Sequence, residues 1–205
     1  HRDLHSFPTR RSSDLCIFLS LGSMFILVGA INAQSLKIDP KSFSMSILGT
    51  TNVHDFETKV TQVSGEIVLN DNKQVQSMYI NIPVKSIKSK EKLMDTKTYE
   101  AFNADKNPNI SFKLVDVSSL KFNGDDISVV VSGNLTMAGV TRRVSLASTG
   151  KLLKSGVYEF KGSVGLKMTD FRMSPPTAMM GMMKVGDAIT LKYQARFESA
   201  QFTQN

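Results

Sequence analysis

Apolar residues recur at every second position through most of this chain, and that period of two is the feature that most restricts its fold. Alternation places one set of side chains on each face of an extended strand, whereas an amphipathic helix needs a period of about 3.6. Met78, Ile80, Ile82 and Val84 alternate with Tyr79, Asn81, Pro83 and Lys85, and Ile110, Phe112 and Leu114 alternate with Ser111 and Lys113. The pattern returns in Ile127, Val129, Val131, Leu135 and Met137, in Tyr158, Phe160, Val164, Leu166 and Met168, and in Ile189, Leu191, Tyr193, Ala195 and Phe197. The opposite faces carry mainly Ser, Thr, Lys and Glu, as strands with one side in a core and one in water require. Runs over residues 43–48, which open with Phe43, and over residues 53–69 and 140–152 bring the total to about eight strands.

The links between these runs are short and rich in residues that tolerate positive φ. Asn123-Gly124 is the clearest hairpin signal, with Asn70-Asp71-Asn72 and Ser155-Gly156 beside it. Links of this kind join neighbouring strands in antiparallel fashion. One stretch departs from the period: residues 89–104, SKEKLMDTKTYEAFNA, place Leu93, Met94, Tyr99 and Phe102 at mixed helical spacing among good helix formers. It predicts one helix, or two short helical turns. About eight antiparallel strands make either a sandwich or a closed barrel whose interior fits side chains or one small ligand, and the period alone does not choose between them.

The first thirty-three residues do not share the pattern. Residues 1–15, HRDLHSFPTRRSSDL, have no hydrophobic period and look like translated adaptor sequence, so they are expected to be a non-native remnant. Residues 16–30, CIFLSLGSMFILVGA, form an apolar run that the small residue Ala33 follows, which predicts a cleaved signal peptide over residues 16–33 and a mature domain over residues 34–205. The run is shorter than the roughly twenty apolar residues of a spanning helix. Cys16 stands at the very start of the run, whereas a lipid-modified cysteine would follow it. The expected location is therefore the periplasm or the cell exterior.

Composition excludes much chemistry. Residues 34–205 hold a single histidine, His54, and no cysteine, and the whole chain lacks tryptophan. A thiol nucleophile, a disulfide framework and a His-rich zinc site are unavailable, and any Ser-His-Asp arrangement would have to use His54. His54 with Asp55 reads as a turn or cap group, and Asp95 and Asp105 read as caps or surface partners. No catalysis and no cofactor are expected. The formal net charge of +7 is dispersed, with no run of five like charges, so the lysines form a solvated sheet face rather than a nucleic-acid stripe. A membrane-embedded barrel would carry aromatic girdles, for which the chain has no Trp and only four Tyr.

Two further features bear on binding. In the phase set by Val140, Val144 and Leu146, Arg142 falls on the apolar face, where a guanidinium needs a partner. That partner is either a phosphate or pyrophosphate head group, or water or an acid such as Asp170 reached by snorkelling. Met179-Met180-Gly181-Met182-Met183, after Pro175-Pro176, is a loop of flexible apolar side chains. It is a candidate lid over a barrel mouth, a surface for transient contact with lipid or a second subunit, or a plug for one barrel end.

Four segments carry a family resemblance: His54-Asp55-Phe56, the stretch LMD…YEAFNADKNPNISF over residues 93–112, GNLTMAGVTRRVSL over residues 133–146, and LKMTDFRMSPP over residues 166–176. In order and spacing they resemble the YceI-like family of lipocalin-fold, polyisoprenoid-binding proteins across nearly all of residues 34–205. Two positions depart: Arg172 stands where many relatives have Gly, and Asn103 where Asp is frequent. The resemblance implies an all-β, lipocalin-like eight-stranded antiparallel barrel with one helical segment outside. It also implies an apolar tunnel for an isoprenoid tail, a periplasmic location and a homodimer. Candidate tunnel walls are Phe43, Met78, Ile80, Ile82, Phe112, Leu114, Val129, Val131, Leu135, Phe160, Met168, Phe171 and Tyr193, with Arg142, Met179 and Met180 at the mouth. A polyprenyl chain offers only apolar surface, worth about 4 kcal/mol gross per five-carbon unit at about 0.8 kcal/mol per carbon. Ordering a flexible tail offsets much of that. The alternative is a structural or adhesive β-domain with a filled core and no ligand.

Overall fold

A computed structural model describes residues 34–199 apart from 73, 154 and 155; the remnant and signal segments lie outside the described residues. The alternating runs become strands β1 (Gln34–Ile38), β2 (Ser44–Thr51), β3 (Asp55–Val60), β4 (Ser64–Leu69), β5 (Val75–Pro83), β6 (Ile87–Lys88), β7 (Asn109–Asn123), β8 (Asp126–Met137), β9 (Val140–Leu152), β10 (Tyr158–Lys167), β11 (Thr177–Ala178) and β12 (Met183–Ser199). Helix α1 (Lys92–Phe102) follows β6, and 3-10 turns occupy Val84–Ser86, Met168–Phe171 and Met179–Gly181.

The sheet order is β1-β4-β5-β7-β8-β9-β10-β12-β2-β3-β6, and β12 also pairs with β1. β12 is long enough to hold β2 against its first part and β1 against its last. β1 with β2, β3 with β4, and β5 with β6 are therefore successive halves of three barrel strands. With β7, β8, β9, β10 and β12 they make a closed eight-stranded antiparallel barrel. The sandwich alternative is excluded by the β1–β12 closure.

Several bounds differ from the sequence expectation for physical reasons. Residues 53–69 form two strands, because the Thr61 amide and hydroxyl both donate to the Ser86 carbonyl and turn the chain between them. Val84, expected at a strand end, sits fully buried in a 3-10 turn. β7 continues well past Leu114, but its register shifts between Leu114 and Asp116 and again between Val117 and Ser119. Such bulges reset which residue faces inward, so the period of two is lost there. The Asn123-Gly124 turn closes β7 onto β8 with Gly124 at φ 61°. The β8–β9 hairpin closes through Ala138 and Gly139, both at positive φ, as a two-residue turn of this hand requires.

Helix α1 ends at Asn103, which adopts the left-handed conformation (φ 49°) and donates its N–H to the Tyr99 and Glu100 carbonyls. The Tyr99 hydroxyl donates to the Ile87 carbonyl at 3.0 Å and ties the helix to β6. That anchorage buries Phe102 against the barrel. The wall itself is incomplete beside β9. Pairing with β10 runs only from Leu152↔Tyr158 to Ser148↔Gly162, although β9 continues to pair with β8 and β10 with β12 beyond that point. The 3-10 turn Met168–Phe171 packs where the two strands part.

Candidate functional site

Inward-facing side chains of the barrel do not fill it. They surround a cavity of ≈ 190 Å³, walled by Phe43 and Ile47 of the β1–β2 region, Met78, Ile80 and Ile82 of β5, and Phe112 and Leu114 of β7. Val129, Val131 and Leu135 of β8, Phe160 of β10, and Leu191 and Tyr193 of β12 complete the wall. These residues share one face because cross-strand partners in an antiparallel sheet point the same way: Phe112 lies opposite Leu135 and Ile80, and Val131 opposite Leu146. Every lining side chain is apolar except Ser148 and Tyr193.

A second space of ≈ 160 Å³ lies at the helix end of the barrel. Leu93, Met94 and Ala101 of α1 form one side, Phe56 and Thr58 of β3 another, and Met173, Met179 and Met183 of the methionine-rich segment a third. Ile47, Phe102, Met137 and Ile189 border both spaces and form the partition between them. Phe102 comes from the helix and the other three from the barrel. The rim of the outer space is unusually apolar for a surface: Val53, Leu93, Met179 and Met182 are all more than half exposed, and Met180 is entirely in solvent. Met179 and Met180 stand at φ 52° and 53°, left-handed conformations that unbranched L-residues enter at a cost of roughly 1–2 kcal/mol each.

Ser148, Gly162 and Tyr193 occupy one transverse row on three adjacent strands, since Gly162 pairs with both of the others. A side chain at Gly162 would collide with the Tyr193 ring and hydroxyl, so the glycine is what lets the phenol lie across β10. The two hydroxyls meet at 2.7 Å. Burial among apolar neighbours pushes the Tyr193 phenol above its ordinary pKa, only partly opposed by the Ser148 hydrogen bond, and it stays neutral at physiological pH.

Most sequence-predicted wall residues therefore line one cavity, and Met168 and Met179 line the outer space. Three candidates stand elsewhere. Arg142 keeps the predicted phase, opposite Leu135, but lies exposed in the cleft where β9 and β10 part. Its Nε donates to the Asp170 main-chain carbonyl at 2.8 Å, so it meets Asp170 through the backbone and holds the 3-10 turn in place. Phe171 is buried in that turn and borders the same cleft, not the cavity. Met180 reaches the rim without lining either space. His54, Asp95 and Arg142 make no hydrogen bond or ion pair with one another among the described residues. His54 is exposed with Nδ1 3.0 Å from the Asp55 carbonyl, and Asp95 accepts from the Ser89 amide and hydroxyl. Among the described residues no cluster of His, Cys, Asp and Glu suited to a metal ion occurs. The helical contribution was missed by sequence reasoning: Phe102, Leu93 and Met94 were legible as a helix but not as part of a binding wall.

A sequence model of the YceI-like domain matches residues 36–197. No curated protein matches the chain. Among solved structures, Burkholderia cenocepacia BcnA is similar with TM-score 0.62 and 19% identity, covering 78% of this chain and 98% of that one. A polyisoprenoid-binding domain from Saccharophagus degradans, implicated in plant cell wall breakdown, is similar with TM-score 0.64 and 13% identity, covering 81% and 99%. The Campylobacter jejuni YCEI protein is similar with TM-score 0.54 and 19% identity, covering 69% and 83%. At these identities the likeness shows a shared fold.

Proposed function

The chain belongs to the YceI-like family, and we propose that it is an exported carrier that holds a polyisoprenoid or similar long apolar lipid in its barrel and catalyses no reaction. The observation that carries this reading is the cavity wall, which is apolar around its whole circumference but for one pair of hydroxyls. A polar or charged solute would lose its water there without compensation, whereas a hydrocarbon loses nothing. The Saccharophagus degradans domain, named for polyisoprenoid binding, supports the same ligand class. No carboxylate, imidazole or amine lines the cavity, so nothing in its wall is suited to move a proton at neutral pH.

Capacity bears on how a long tail is held. An engineered apolar cavity of about 150 Å³ takes up benzene, so each of the two spaces, ≈ 190 Å³ and ≈ 160 Å³, holds a fragment of about one isoprene unit. A longer chain runs through both once Phe102 moves out of the partition. Its far end then emerges at the methionine rim, where flexible side chains suit transient contact with a lipid surface. The apolar run over residues 16–30 supports export to the periplasm. A filled-core adhesive domain is the competing reading, and the unfilled interior disfavours it.

Transfer of a fluorescent polyprenol between donor and acceptor vesicles tests the proposal. The protein accelerates transfer, and Met180→Asp with Met182→Asp slows that acceleration about tenfold by setting charge on the rim. Transfer that proceeds at the protein-free rate contradicts the carrier reading.

A further inference from the structure

The carrier reading leaves unexplained why an otherwise hydrocarbon wall contains two hydroxyls. Apolar residues would fill the same positions without any group needing a partner, and here Gly162 is kept small so that the Tyr193 phenol can reach Ser148. The pair is half satisfied. Two hydroxyls carry two O–H donors, the 2.7 Å contact uses one, and no second partner for either oxygen occurs among the described residues. One O–H and several lone pairs are thus left facing the cavity that both residues line.

Building on the carrier reading, we infer that Tyr193 and Ser148 form a recognition site inside the barrel for an uncharged oxygen on the lipid, a hydroxyl or a carbonyl. The spare O–H donates to that oxygen, and a ligand hydroxyl can in addition donate to a lone pair of either side chain. Charge is excluded by the same surroundings. No Lys, Arg or His lines the cavity, so a phosphate carried this deep would be desolvated without a counter-ion. The phenol stays protonated at neutral pH and keeps its donor. Tyr193 lies four residues along β12 from Ile189, a partition residue, so the pair sits well inside the barrel beyond the Phe102 layer. A lipid therefore enters with its neutral oxygen-bearing end leading and its hydrocarbon trailing toward the methionine rim.

Equilibrium binding of three matched probes separates this inference from the reading beneath it. The probes are geraniol, the diene hydrocarbon that lacks only its hydroxyl, and geranyl phosphate. Wild-type protein binds geraniol about tenfold more tightly than the hydrocarbon, the ratio that one hydrogen bond formed in an apolar site gives. It binds geranyl phosphate no better than the hydrocarbon, and Tyr193→Phe combined with Ser148→Ala, which removes both hydroxyls, brings the geraniol affinity down to that of the hydrocarbon. Equal wild-type affinities for geraniol and the hydrocarbon overturn the recognition site and leave the carrier intact, as does tightest binding of geranyl phosphate. Failure of all three to bind overturns the carrier reading itself. The wild-type ratio stands as a test even if the variant does not fold.

Discussion

Replacing Phe102 with alanine tests whether the helix gates the barrel. Phe102 is 7% exposed and borders both the inner space of ≈ 190 Å³ and the outer space of ≈ 160 Å³. Truncation of a buried phenylalanine to alanine costs roughly 3–5 kcal/mol, which for a domain of this size lowers Tm by roughly 6–20 °C at about 2–4 °C per kcal/mol. The same change joins the two spaces. A chain that must displace Phe102 in the wild type then passes freely, and each further isoprene unit buried contributes about 4 kcal/mol before ordering is subtracted. If only about a third of that survives, affinity for long prenols rises about tenfold per added unit. Short prenols, which fit one space, gain little. The assay is a series of prenols of increasing length titrated against both proteins, with thermal unfolding of each ligand-free form. A variant that melts lower but shows the wild-type dependence on chain length would refute the partition, and a variant with unchanged Tm would refute the packing of Phe102 itself.

Two further outcomes follow from local geometry. Arg172 sits at φ 56°, ψ 24°, the left-handed end of the Met168–Phe171 turn, and its exposed side chain makes no ion pair among the described residues. Relieving that conformation with Arg172→Gly raises stability by roughly 0.5–1 kcal/mol after the added freedom of the unfolded glycine is subtracted, and a thermal melt that is unchanged or lower contradicts this. The Asp187 carboxylate accepts from the Thr169 amide and hydroxyl, and these bonds hold its pKa below the usual aspartate range. A lowered carboxylate pKa means that the contribution is present above the unfolded value and is lost as pH falls through the folded one. The Thr169 amide resonance accordingly shifts with a midpoint below the usual aspartate value of about 3.9, and a midpoint at or above it would remove this anchor from the 3-10 turn.

Legibility from sequence followed the physics of each element. The strands β8 and β10 were plain because each keeps one face inward for its whole length, and β5 and β12 were plain because their pairing irregularities, beside Val75 and between Val185 and Ile189, fall outside the alternating runs that begin at Met78 and Ile189. β7 was read only to Leu114 because two bulges shift its phase, and β1 escaped because five residues carry too few alternations to register. Arg142 shows the limit of phase as a guide to site. It faces the way its neighbours face, yet it lies where β9 leaves β10, and that separation is a property of pairing between distant segments. The departures at Asn103 and Arg172 had no meaning until both proved to be left-handed caps, where Asn is at ease and Gly more so. The Tyr193–Ser148 pair was invisible for the same reason: only register brings residues 148, 162 and 193 into one row.

The most direct test of a lipid-holding barrel is native mass spectrometry, with solvent extraction and lipid analysis, of residues 34–205 exported to a bacterial periplasm and purified without detergent. A polyprenyl species retained at about one per subunit is the expected result. Protein that is reproducibly ligand-free, and that also takes up no added polyprenol, would contradict a carrier and leave a β-barrel whose apolar cavity serves some other end.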